Sequence, residues 1–78
     1  VLEFSIYPNP VNSELNVNFE ESIENGILQI FNYTGALLHT ETVNGYGTNV
    51  DLSTLPAGMY FITITADNVV QRQEFIKQ

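Results

Sequence analysis

The sequence predicts an all-β domain, a seven-stranded antiparallel immunoglobulin-like β-sandwich. Three observations carry that expectation. Apolar and polar residues alternate with period two in several short segments. Turn-forming residues (Asn, Gly, Asp and Pro) separate those segments. No stretch shows a helical period, and no internal repeat is visible.

Phe4-Ser5-Ile6-Tyr7 reads as a short first strand, stopped by Pro8 and Pro10. Prolines on either side of Asn9 remove two ladder donors and push Tyr7 and Asn9 toward extended backbone. Such a segment suits an edge strand that bends between sheets. Leu15-Asn16-Val17-Asn18-Phe19 alternates cleanly, and the acidic stretch after it closes on Asn25-Gly26, a pair that tolerates positive φ. Residues 26–34 resume as a strand, with Leu28 and Ile30 on one face and Phe31 on the other. Tyr33-Thr34-Gly35 reads as a bulge or turn, and residues 36–43 return as the next strand. Asn44-Gly45-Tyr46-Gly47 is expected to be a loop, followed by a short strand holding Val50 and Leu52 in phase.

Leu55-Pro56-Ala57-Gly58 has a defined turn mechanism. Pro56 presets φ at the second turn position, and Gly58 releases the chain into the following strand. Tyr60 then sits where sandwich domains place a tyrosine corner, with the ring inward and the hydroxyl bonded to backbone upstream. Tyr60, Ile62, Ile64 and Ala66 share a face, with Thr63 and Thr65 opposite. Asp67-Asn68 turns the chain into a last strand at 69–77, where Val70 and Phe75 cannot share a face without a bulge.

At 78 residues the chain has room for one domain with a modest core, read as spanning 1–78. It has no cysteine and no cluster of metal-ligand type, so it must rely on packing. Val1 rather than Met opens it, without a charged-then-apolar leader, which reads as a piece of a longer secreted protein. No apolar run is long enough to span a membrane. Nine acidic residues against Arg72 and Lys77 give a formal charge of −7. That balance disfavours nucleic acid and anionic lipid, and it opposes association of sheet edges. Unpaired edges of a small sandwich can nonetheless pair two copies.

Catalysis needs a nucleophile, a base and a means of orienting them, and the chain offers no such set, so it is read as a non-enzyme with no cofactor. His39 is expected to face solvent on a strand. Glu20, Glu21 and Glu24 lack the alternation and closing Glu of a calcium loop. Asn32-Tyr33-Thr34 matches a glycosylation acceptor but coincides with a turn that accounts for it. Phe31 and Phe61 stand out: if their strand neighbours point inward, both point outward from adjacent central strands and form a docking patch.

Four segments, in order, carry a resemblance. Tyr7-Pro8-Asn9-Pro10-Val11-Asn12 with Leu15-Asn16-Val17 resembles the opening of the C-terminal sorting domain (type A) of the type IX, or Por, secretion system. Ile30-Phe31-Asn32-Tyr33-Thr34-Gly35 is similar to that family's mid-domain strand and turn. Residues 50–62, centred on Leu55-Pro56-Ala57-Gly58-Met59-Tyr60, resemble its late motif, and Phe75-Ile76-Lys77 its terminal strand. Gln71-Arg72-Gln73-Glu74 departs from it, since the family usually carries more lysine there. The resemblance implies a signal at the C-terminus of a protein made by Bacteroidetes. The cargo, N-terminal to the domain, reaches the periplasm through its own signal peptide. An outer-membrane translocon then recognises the domain, and a sortase commonly removes it at the cell surface, leaving the cargo released or attached to lipopolysaccharide. The recognised feature would be the Phe31 and Phe61 face or the terminal strand with Phe75 and Lys77. The structural motif would be Pro8, Asn9, Pro10, Gly35, Leu55, Pro56, Gly58 and Tyr60.

An accessory sandwich of the fibronectin III or carbohydrate-binding kind is the alternative, because corner geometry follows architecture. The absence of Trp weighs against it, although Tyr46 between Gly45 and Gly47 is a possible stacking residue for a sugar ring.

Overall fold

A computed structural model describes residues 2–78; the first residue of the expected 1–78 domain lies outside the described residues. Five antiparallel strands form one hydrogen-bonded sheet: β1 (Phe4–Tyr7), β2 (Glu14–Asn32), β3 (Leu37–Asp51), β4 (Gly58–Ala66) and β5 (Val69–Lys77). The path β1-β2-β4-β5 is joined by β3, which pairs with β2 alone. The N-terminal half of β2 lies between β1 and the end of β3, and its C-terminal half lies between β4 and the start of β3. The sheet therefore curls about β2 and wraps one face around a single apolar core.

Seven strands become five for a specific reason. Asn25-Gly26 and Asn44-Gly45 do not reverse the chain, so residues 44–47 are strand and not loop. They sit at a bend where the β2–β3 ladder changes register. From Asn18 to Ile23 β2 advances five residues, while its partner moves only from Gly47 to Gly45. Asn25 (φ 55°) and Gly45 (φ 87°) take the left-handed conformation, and the Asn25 amide donates to Asn44 Oδ1 at 2.8 Å. Bulges absorb extra residues this way and sharpen the local twist, which bends both strands without ending either. The acidic residues Glu20, Glu21 and Glu24 ride exposed on the outside of the bend.

Gly47 is required by close approach. A Cβ there would meet the Val17 carbonyl oxygen at 2.6 Å, so only the bare backbone fits beside β2. True reversals occur elsewhere. Asp67 (φ 50°) and Asn68 (φ 65°) form a two-residue hairpin of the left-handed type whose twist matches its flanking strands. Between β2 and β3 the Asn32 side chain organises the turn: Oδ1 accepts from the Thr34 amide, the Thr34 hydroxyl and the Ala36 amide at 3.1, 2.7 and 2.9 Å. The acceptor-site Asn is thus already committed to its own backbone.

The buried face collects Leu15, Val17 and Phe19 from the first half of β2 and Leu28 and Ile30 from the second. Val43 and Val50 of β3, Tyr60, Ile62, Ile64 and Ala66 of β4, and Phe75 of β5 join them, with Phe4, Val11, Ile23 and Leu52 at the margins. β4 and β5 pair without a break from Ala66–Val69 to Gly58–Lys77, which settles the phase of the last strand: Phe75 points inward and Val70 outward, with no bulge. Tyr60 is buried, its ring stacks on Phe75 at a centroid distance of 5.7 Å, and its hydroxyl donates to the Pro56 carbonyl at 2.6 Å. That bond ties β4 to the turn that delivers it. Tyr60→Phe keeps the ring and loses the bond, so it should lower the unfolding free energy by about 1 kcal/mol; an unchanged denaturant midpoint would show the hydroxyl to be idle.

Candidate recognition surface and the terminal strand

The outer face of the β2–β4–β5 region follows from ladder register. Phe31 lies directly opposite Phe61 on β4, and on its other side opposite Leu37 of β3. Side chains directly opposite on antiparallel strands share a face, so Leu37, Phe31 and Phe61 form one apolar row across three strands. Beyond it, Met59 pairs with Ile76, and both are exposed. The two phenylalanines are half-buried.

Arg72 enters from β5. Its guanidinium carbon sits 4.8 Å from the Phe61 ring centroid, a cation–π placement. A shallow depression of about 480 Å³ lies between Phe31, Phe61, Thr63, Arg72 and the 33–35 turn, with Tyr33 exposed at its rim. Its walls are aromatic and open, with one fixed positive charge. This arrangement suits an inserted apolar side chain and offers no converging acid–base pair for chemistry.

Arg72, Leu37, Met59 and Ile76 were not singled out in the sequence as members of this surface. Part of the signal was available. A two-residue turn at Asp67-Asn68 sets Ala66 opposite Val69, which forces Thr63 opposite Arg72 and Phe61 opposite Glu74. The β2–β3 register is hidden by the bulge between Ile30 and Phe31, so Leu37 had no comparable signal.

The terminal strand is placed differently from the sequence expectation. Phe75 is 1% exposed and Lys77 7%, so both side chains are covered by the rest of the domain. Phase decides the first, since Phe75 opposes Tyr60 on the core face. Lys77 is covered because it opposes Gly58 and lies against Val11, which bridges to it in parallel and is fully buried. Its ammonium donates to the Gln78 carbonyl at 2.9 Å. The Pro-rich segment supplies the cover: Asn9 Oδ1 accepts from the Ile76 amide at 3.0 Å, the Val11 amide donates to Ile76 O, and the Gln78 amide donates to Val11 O, both at 2.8 Å. Pro8 and Pro10 flank these contacts, and both preceding peptide bonds are cis. Gln73 Nε2 further donates to the Phe4 carbonyl at 2.5 Å, which joins β5 to β1.

His39 and Glu41 pair at 2.7 Å on β3, both partly exposed, and the Thr48 hydroxyl donates to the other Glu41 oxygen at 3.4 Å. The Asp51 carboxyl is held below its ordinary value by hydrogen bonds from Ser53, first the backbone amide at 2.9 Å, which marks a turn-forming carboxylate at the surface. Among the described residues, no three His, Cys, Asp or Glu side chains gather as a metal site. Among the described residues no helix is long and apolar enough to cross a membrane.

A family model described as the secretion system C-terminal sorting domain matches residues 5–78. No curated protein matches the chain.

Proposed function

Because the chain belongs to the secretion system C-terminal sorting domain family, we propose that its outer face, centred on Phe31, Phe61 and Arg72, is what the export machinery reads. Family membership makes the chain a C-terminal sorting signal for type IX secretion. It also implies export to the cell surface or beyond, and a cargo part N-terminal to the domain.

The finer reading is as follows. The cargo passes through the periplasm of a Bacteroidetes cell, and an outer-membrane translocon engages the folded domain through its aromatic face. A sortase then removes the domain N-terminal to the described residues. The domain performs no catalysis of its own. Its two halves, hinged at the β2–β3 bend, act as the layers of an immunoglobulin-like sandwich, which keeps one outer face free.

One observation supports this choice of face: Phe31 and Phe61 lie side by side and partly open, while Phe75 and Lys77 are buried. Aromatic residues set in a polar surface are the ones that supply binding energy at interfaces. The test is a transplant. Residues 1–78 are fused to a fluorescent reporter bearing a signal peptide and expressed in a Bacteroidetes host, with and without a working type IX translocon. Fluorescence at the surface or in the medium in the competent strain alone is expected. Retention of a folded fusion in both strains would favour an accessory binding module instead.

A further inference from the structure

We propose that the free edge of β3 pairs antiparallel with the same edge of a second copy of this chain, about a two-fold axis at Thr40. Among the described residues β3 bonds to β2 alone, so its other edge presents unpaired backbone groups over a 15-residue strand. The competing edges are shorter: residues 9–11 and the bond from Gln73 to Phe4 cover the C-terminal part of β5, and β1 is only four residues long. The segment Leu38-His39-Thr40-Glu41-Thr42 is exposed along almost its whole length and rich in strand-forming threonine.

Charge selects the partner and the register. His39 and Glu41 oppose Ile30 and Leu28, both core residues, so their side chains share one face at the sheet margin. A two-fold at Thr40 places His39 opposite Glu41 of the other copy, and Glu41 opposite His39, on that same face. Within one copy the His39 ring already meets Glu41 Oε1 at 2.7 Å, so the two-fold contact exchanges that pair along the strand for two imidazole–carboxylate pairs across it. A two-fold at Glu41 would instead set carboxylate against carboxylate, and one at His39 would set imidazole against imidazole. No titratable residue of β2 lies opposite residues 39–42, since Ile30, Gln29, Leu28 and Ile27 fill those positions. The edge thus carries a self-complementary pattern, and a closed two-fold contact of this kind uses one patch twice and cannot propagate into a filament. With a net charge of −7 on each copy, the contact is weak and forms at high protein concentration.

The test uses complementary charge variants measured by sedimentation, with circular dichroism confirming the fold. The wild-type chain should show concentration-dependent dimerisation. His39→Glu alone, and the double variant His39→Lys/Glu41→Lys alone, should each lose about tenfold in self-affinity. An equimolar mixture of the two should associate at least as well as the wild type. A mixture no better than its components overturns the proposal, as does a wild-type chain that stays monomeric at millimolar concentration. Should a charge variant misfold, a nitroxide attached through Thr40→Cys decides independently. The distance between labels should be shorter at 40 than at 38 or 42, and any other minimum overturns the register.

Discussion

Phe75→Ala should remove about 3–5 kcal/mol of stability. A small domain has only about 5–15 kcal/mol in total, so the variant loses a large share of it and its denaturation midpoint should fall steeply. The magnitude follows from position. Phe75 is among the largest fully buried side chains, it stacks on Tyr60, and it lies on a strand with a single full-length neighbour. Removing the ring leaves a cavity that β5 cannot close without breaking the Asn9 and Val11 contacts to its outer edge. Equilibrium denaturation checks it. A midpoint close to that of the wild type would mean that the C-terminal strand contributes little to the packed state. The change would then have to be sought in β2 and β4.

Phe31→Thr combined with Phe61→Thr should behave in the opposite way, with the fold retained and export lost. Both positions face outward, threonine suits a pleated strand, and a cross-strand aromatic pair contributes only about 0.2–1 kcal/mol. Buried aromatic anchors at interfaces cost about 2 kcal/mol or more when truncated. Loss of two anchors should therefore reduce reporter export by tenfold or more, while the purified domain melts within a few degrees of the parent. Arg72→Ala is the milder companion, since it removes one cation–π contact of about 0.5–1 kcal/mol at an exposed site. Unfolding of the double variant would show Phe31 and Phe61 to be core residues. A folded variant with full export would move recognition off this face.

Class, strand phase and the aromatic face were legible because period-two alternation reports directly on which side chains are buried. Leu28 and Ile30 against Phe31, and Ile62 and Ile64 against Phe61, leave little choice once a strand is assumed. Strand number was not legible. Asn25-Gly26 and Asn44-Gly45 supply positive φ, which a hairpin reversal and a bulge in a continuing strand both need. Only the pairing of one bend against the other distinguishes them, and that is a long-range fact. The burial of Lys77 was hidden for a different reason: lysine is ordinarily exposed, and its cover comes from Val11, 66 positions away. Phe75 could have been placed earlier, because the Asp67-Asn68 turn fixes it opposite Tyr60.

The joining of the two ends also sets a timescale. Gln73 reaches Phe4 across 69 positions, and Ile76 reaches Asn9 across 67. Contacts of such separation require nearly the whole chain to be drawn into a loop before they return any energy, and chains dominated by them fold in milliseconds to seconds. During translation β1 emerges first and β5 last of the five strands, so the segment at 9–11 has no partner until the final strand is made. This domain is therefore a slow folder for its size, closing its circuit only after all of its residues have been synthesised.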